Sequence, residues 1–379
     1  MAFIVSKETK VLIKSVEEFC KQKLKPVIEE YDTSGEFLMG VYKAAMEMGL
    51  HCLEIPEEFG GLGLDNLSAA VILSKVSEYD AGFATGLNAN SLALKSVLIA
   101  GTPAQKQMFA DIVVPGNFAA FGLTEPNAGS DVSAISTTAE FENDHYIING
   151  RKTFIINGGV ADVLVVFASI NKSKGLKGLS AFIVEKKRLG ISIGKEENKM
   201  GIRLSNTTDV VFDNVVVPKE NLLGKEGEGF IIAMKTLDLA RPFVGAIACG
   251  IAERCIRECV GYMKERVQFG RPLAELDVLR NKLADMEIKK EAAIAMVEHV
   301  FRMIDMGVSY TKEAAVAKAF AGDTAVEVVT EAIQIHGGYG YSREYPVEKL
   351  LRDARIFQIF EGTNEIQKVV IADDLLNSA

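Results

Sequence analysis

Tryptophan is absent from the 379 residues, so no indole can serve as the platform for a bound ring. A basic excess is missing too: 42 Lys and Arg stand against 51 Asp and Glu, a net charge of -9. That balance argues against nucleic acid or an anionic membrane as the main partner, although a local basic patch can still hold a polyanionic cofactor. No run of about 18 apolar residues occurs, so no membrane-spanning helix is expected. The five cysteines form no Cys-x-x-Cys pair. Cys255 and Cys259 lie one helical turn apart in an Ala- and Ile-rich run and read as small packing residues in a reducing compartment. No signal-type apolar run precedes Ser6, which caps the first helical pattern, and a cytoplasmic protein is the expectation. Internal repeats and low-complexity tracts are also lacking.

What is present is core-forming material. At 48% hydrophobic residues, the chain can bury a large interior and is expected to divide into two or three domains. Residues 6–113 read as helical: Val11, Leu12, Ile13, Val16, Phe19 and Leu24 recur every three to four positions, and Pro26 should kink or end a helix. Further helices are expected at 42–50, 67–79 and 85–100, with a glycine-rich loop at 56–63. After Pro115 the pattern changes to β-branched runs at 146–150 (ending in a turn), 163–168, 179–185 and 209–218, punctuated by Asn and Gly. No helix-period stretch intervenes, so a mostly antiparallel β module is expected. Helical periodicity returns at 230–267, 275–306, 311–336, 346–354 and 363–377, enough for a bundle. The expected fold is α+β: an N-terminal helical domain (1–115), a middle antiparallel β domain (116–222) and a C-terminal helical bundle (223–379).

One carboxylate stands out. Glu361 sits in the apolar run Ile356, Phe357, Ile359, Phe360, which breaks at Gly362 and meets a new cap at Thr363. Partial desolvation there raises a carboxylate pKa towards the range useful for taking a proton. Upstream, Gly122-Leu123-Thr124-Glu125-Pro126-Asn127-Ala128-Gly129-Ser130-Asp131 offers hydroxyls and exposed amides suited to a flavin edge or a phosphate. Gln334-Ile335-His336-Gly337-Gly338-Tyr339-Gly340-Tyr341 ends a helix and allows a ligand close to backbone. It has neither the GxxxxGK[ST] form nor a preceding strand, so P-loop and Rossmann readings fail. Arg266-Val267-Gln268-Phe269-Gly270-Arg271 places two guanidinium groups beside an aromatic, suited to pyrophosphate or to a helix C-terminus.

Together these stretches resemble the acyl-CoA dehydrogenase family over nearly the whole chain. Lys199-Met200-Gly201-Ile202-Arg203, Leu237-Asp238-Leu239-Ala240-Arg241 and Phe360-Glu361-Gly362-Thr363 agree as well. The resemblance implies FAD as cofactor, an acyl-CoA substrate, an electron-transfer flavoprotein as acceptor, and a homotetramer whose FAD sites are shared between subunits. It implies that Phe121, Leu123, Thr124 and Ser130 face the flavin, with Phe154 and Ile156 on its other side. Arg266, Phe269, Gln334, Gly337 and Gly338 would hold the adenosine diphosphate half, and Thr363 and Glu365 would also touch FAD. Ser130, Asp238, Arg241 and Gly362 would contact the CoA thioester, with Asn90 and Ser91 near the acyl group. Glu361 matches the family's base. One branch carries the base on the long bundle helix instead, where this chain has Ala240. The implied reaction is α,β-desaturation, Glu361 taking the α-proton as a hydride leaves the β-carbon for the flavin.

Where the family commonly has Trp-Ile-Thr, this sequence has Phe154-Ile155-Ile156. Ile156 offers no hydroxyl near the flavin, which leaves an enoyl-CoA reductase open beside an acyl-CoA oxidase-like enzyme. A non-catalytic, FAD-binding relative is expected to lose the base or gain a basic extension, whereas Glu361 is present and the final stretch is acidic. Asn88 and Asn90 beside Ser91 and Leu94, with Pro242 and Phe243 on the later helix, point to a short, cyclic or functionalised acyl group.

Overall fold

The computed structural model describes residues 3–377. Helices α1 (Lys7–Phe19), α2 (Ile28–Ser34), α3 (Met39–Glu47), α4 (Asn66–Ser77), α5 (Ala81–Ala100) and α6 (Pro103–Val113) come first. Each main start has a local cause: Ser6, Asp65, Asp80 and Thr102 accept from the backbone N–H three residues on. Pro26 lies in a short 3-10 turn that separates α1 from α2. Helix α5 starts four residues earlier than expected because Asp80 caps it, its Oδ1 accepting from Phe83 N at 2.7 Å.

The sheet follows: β1 (Phe118–Gly122), β2 (Thr138–Glu142), β3 (His145–Ile156), β4 (Ala161–Ser169), β5 (Leu179–Glu185), β6 (Ile191–Glu196), β7 (Thr207–Pro218) and β8 (Leu222–Leu223). Its order is β6-β7-β3-β2-β4-β5-β8, with β1 pairing β4. The module is mostly antiparallel, as expected, but two pairings depart from that pattern: β1 runs parallel to β4, and β2 meets β4 in a parallel pair at Thr138 and Ser169. β1 enters directly from α6 rather than through a hairpin, so strand identity alone did not reveal its direction. The expected turn at Gly150 is also absent. β3 continues to Ile156, and Gly150 lies at a register shift against β7 instead.

Helix α7 (Gly229–Glu265) is followed by a two-stranded ribbon, β9 (Val267–Gln268) and β10 (Arg271–Pro272), then α8 (Asp277–Asp305), α9 (Thr311–His336), α10 (Val347–Ala354) and α11 (Asn364–Asn377). α7 is the axis of the bundle. It packs against α4, α5, α8 and α9, so it is apolar on several faces rather than one. A buried ionic staple joins distant parts of the chain. Lys349 on α10 contacts Asp80 and Asp353 at 2.5 Å each, and Asp353 accepts from Ile202 N at 2.6 Å. The base turn therefore hangs from a helix anchored both to the N-terminus of α5 and to the loop between β6 and β7. All five cysteines are buried and free. Among the described residues no helix is long and apolar enough to cross a membrane, and no acidic, His or Cys group has the form of a metal site.

Candidate active site

The base turn begins where α10 gives way to a 3-10 turn, Arg355–Gln358, with Phe357 fully buried beneath it. Glu361 and Gly362 then take φ values of 52° and 90° in succession. A left-handed Glu is strained, which is a signature of positions held by their surroundings. Those surroundings are specific. Gln367 Nε2 donates to Gly362 O at 2.9 Å, Lys318 Nζ donates to the same carbonyl at 2.7 Å, and Thr363 Oγ1 caps α11 by accepting from Ile366 N.

As a whole residue Glu361 is only partly buried, but its Oε2 is sealed from solvent and has no hydrogen-bond partner. Burial pushes its pKa up to about 7, against the opposing charges of Lys95, Lys318 and Arg241 in that order of strength. An unpartnered carboxylate at that value is half ionised near neutrality, the condition that favours proton transfer in either direction. Arg241 is buried, donates to Asp238 Oδ1 at 2.5 Å and keeps an unpartnered Nε. Asp238 also accepts from Thr311 Oγ1 at 2.7 Å, tying α7 to α9.

A second group of expected residues gathers at the C-terminal end of β1 and the bulge of β3. Glu125 accepts from Ser136 N and Oγ, Thr137 N and Lys152 Nζ, all between 2.6 and 3.0 Å. Lys152 also donates to Leu123 O, and Thr153 N donates to Thr124 O. These bonds fold the 122–137 loop back over β3, leaving Gly129 and Ser130 exposed at its tip. Between Lys152 and Ile155 the β3–β7 register slips, and Phe154 adopts φ 55° with 63% exposure. Bulges re-aim side chains beside active sites, and here the slip turns an aromatic outwards next to Thr124 and Ile156. Phe121 is half-buried against Phe167.

A third group forms where α7 and α9 end. Tyr262 stacks on His336 and donates to its carbonyl, while Arg266 lies over the Tyr339 ring at 5.5 Å. The turn between β9 and β10 places Phe269 and Gly270 at φ 55° and 76°, as a two-residue hairpin with positive φ at both positions requires. Phe269 is 91% exposed there. Gln334, Gly337 and Gly338 are exposed, and nothing lies within 4 Å of a Cβ built at either glycine. Exposed aromatics and open backbone beside a guanidinium suit a flat, phosphate-linked cofactor.

Two outcomes depart from expectation. Asn90, expected beside the substrate, has no polar valence left: it donates to His51 O and Asn117 O and accepts from Ala119 N and Asn157 Nδ2. It binds α5 to β1. Asn88 is buried as well. Conversely, Lys95 and Lys318 went unremarked although both act on Glu361. Lys95 carries the signal of a lone cation, being the only charge in α5, whereas Lys318 lies among alanines on a helix α9 that bears several other charges.

The chain belongs to the acyl-CoA dehydrogenase family, whose N-terminal, middle and C-terminal domain profiles match residues 6–116, 120–215 and 227–376. It is 44% identical over 374 residues to a short-chain specific acyl-CoA dehydrogenase of Clostridium acetobutylicum, covering 98% of this chain and 99% of that one. It is 45% identical over 379 residues to an acryloyl-CoA reductase (NADH) of Anaerotignum propionicum, covering 99% and 96%. The solved butyryl-CoA dehydrogenase of Megasphaera elsdenii superposes with a TM-score of 0.96 at 44% identity, covering 99% of this chain and 100% of that one. The protein is accordingly an FAD-dependent oxidoreductase of CH–CH bonds, as family membership requires.

Proposed function

We propose that the protein desaturates a short acyl-CoA thioester between Cα and Cβ, with Glu361 as the base. The observation that carries this reading is the buried, unpartnered Glu361 carboxylate, raised to about 7 and flanked by three cations that do not bond it. In the ionised form it takes the α-proton. The surrounding Lys95, Lys318 and Arg241 temper that charge without quenching it as a direct ion pair would. Arg241, with its free Nε, and Asp238 stand on the α7 face towards Glu361 and orient the thioester end. The strained turn fixes the Glu361 backbone N–H, the donor expected to meet the thioester oxygen as enolate character develops; such a donor is worth about 3 kcal/mol in comparable sites. Oxidised FAD supplies the hydride acceptor for the β-carbon. The 123–124 loop edge, Ser130, Phe154 and Ile156 form its flavin cradle, with Thr363 and Glu365 at the base turn. Arg266, Phe269, Gln334, Gly337 and Gly338 form an adenosine-binding face that a second copy completes, within a homotetramer. Electrons then pass to an electron-transfer flavoprotein.

The reverse reaction is a second reading. It is favoured by the acryloyl-CoA reductase similarity and by Ile156, which supplies no hydroxyl beside the flavin. A carboxylic acid at about 7 can return a proton to Cα as readily as remove one. Anaerobic titration of the yellow protein with saturated thioesters, read by flavin absorbance, tests the proposal. Bleaching by a short acyl-CoA, reversed by electron-transfer flavoprotein and not by air, is expected. Flavin that no saturated thioester bleaches, yet that enoyl-CoA reoxidises after chemical reduction, would establish the reductase.

A further inference from the structure

Helix α5 carries a single charge, Lys95, and buries it to 1% exposure. Its ammonium donates to Glu54 Oε1 at 2.7 Å and to Ser91 Oγ, and lies 3.7 Å from the centre of the Phe243 ring. Ser91 in turn donates to the other Glu54 oxygen. Glu54 comes from the loop after α3, Phe243 from α7, so three separate parts of the chain converge on one ammonium group. Phe243 lies on α7 close to Arg241, and of the three cations whose charge reaches Glu361, Lys95 acts most strongly. Glu54 and Ser91 also line a small cavity with Leu50, Leu53, Leu73, Leu87 and Leu94 that holds only ≈ 10 Å³, room for about one water.

A buried ion pair is a poor choice for stability, since an apolar pair of similar volume usually serves as well or better. It is a good choice for a wall. An apolar floor yields when an alkyl chain presses on it, whereas these charges cannot be separated without leaving one of them unpaired in the interior. We propose that the Glu54–Lys95–Ser91 cluster is the end wall of the acyl site and the device that restricts the enzyme to short acyl groups. This inference rests on the acyl-CoA reading of the Glu361 site and names the residues that set its substrate length.

The test reads binding, not turnover, so that it stands apart from the role of Glu361. FAD-loaded Glu361→Gln protein is titrated calorimetrically with butyryl-CoA and octanoyl-CoA. The same titrations follow with Lys95→Met and Glu54→Leu added together, a swap that removes both charges and keeps bulk. The parent should favour butyryl-CoA by at least about tenfold, in the range set by steric pockets, and the swap should abolish or invert that preference. A folded, FAD-loaded swap variant that keeps the parent's ratio overturns the proposal. So does a parent that binds octanoyl-CoA as tightly as butyryl-CoA, an outcome that needs no folded variant. Failure of the desaturation reading would appear separately, as wild-type flavin that bound thioesters do not reduce.

Discussion

Two glutamates, Glu361 and Glu125, each lie against buried lysines, and they end at opposite extremes. Glu125 accepts four hydrogen bonds, one from Lys152, and is held down to about 2 in spite of its burial. Glu361 has cations near it and an oxygen that nothing touches, and burial takes it up to about 7. Lys318 shows how the difference is made. Its ammonium is spent on Gly362 O and Asn364 Oδ1, so it acts on Glu361 through space rather than as a partner. Burial alone therefore does not make a base; burial with the donors turned elsewhere does. The Glu125 pair is not symmetrical: burial lowers Lys152 to about 8 while the carboxylate gains four donors, so both stay ionised between about 2 and about 8. One site holds a loop, and the other leaves a carboxylate with the properties the proposed base requires.

The largest expected effect separates the two roles directly. Glu361→Gln should retain FAD and acyl-CoA while flavin bleaching slows by about 10³- to 10⁴-fold, the upper range for loss of a general base. Stopped-flow absorbance measures it, and bleaching within tenfold of wild type would remove Glu361 from the mechanism. Lys152→Met should do the reverse kind of damage. Leaving Glu125 buried without its cation costs about 3–5 kcal/mol, seen as a lower melting temperature and loss of FAD as the 122–137 loop loosens. A variant with unchanged melting and FAD content would show that the loop is held by something other than the pair.

These roles were unequally visible in the sequence. The desolvation of Glu361 was legible locally, from an apolar run, a glycine break and a fresh cap, while its reading as a base came from the motifs upstream and the family resemblance. The helices were legible locally too, through their periods and caps. Glu125 and Lys152 are 27 positions apart and meet only because β1 and β3 fold onto one another, a pairing that no local pattern carries. The parallel placement of β1 beside β4 was hidden likewise. Asn90 shows the opposite failure. A polar residue among apolar neighbours looked like a pocket lining, but His51 O, Asn117 O, Ala119 N and the Asn157 side chain satisfy it. Lys95 lay open to view as the lone charge of α5, yet what it faces depends on tertiary contacts, and Lys318 is one of several charges on α9.

The comparison predicts opposite responses to pH. As base, Glu361 must be ionised, so kcat/KM for desaturation should climb about tenfold per pH unit below pH 7 and level off above it. Stability runs the other way. A folded-state value raised from 4.5 to about 7 means that the folded protein holds a proton that the unfolded chain has released. The stabilisation is fully present below 4.5 and lost as pH rises through about 7. Across that gap the loss amounts to about 3 kcal/mol, at about 1.4 kcal/mol per pH unit. Melting curves from pH 5 to 8 should therefore fall more steeply for wild type than for Glu361→Gln. Glu125 contributes nothing in this window, because its transition lies near 2. Parallel slopes for the two proteins would mean that Glu361 is not held neutral by its surroundings.

The smallest effect concerns the turn itself. Gly362 has φ 90°, and a Cβ there would stand 2.5 Å from Gln367 Nε2, the group that clasps the turn through Gly362 O. Alanine in a left-handed conformation costs about 1–2 kcal/mol, and Gln367 must also move, releasing one of the two donors on that carbonyl. Gly362→Ala should thus lower the melting temperature by a few degrees and slow bleaching by about tenfold, because a misplaced carboxylate is a poor base even at the right pKa. The matching change in the other region is Gly129→Ala, at the exposed tip of the loop that Glu125 holds. Nothing lies within 4 Å of its Cβ position, and its melting temperature should stay at the wild-type value. If both alanines melt alike, the strain at Glu361 and Gly362 is not what positions the base. The burden then falls on Lys318, whose replacement by Met would remove the other donor to Gly362 O and leave the turn to Gln367 alone.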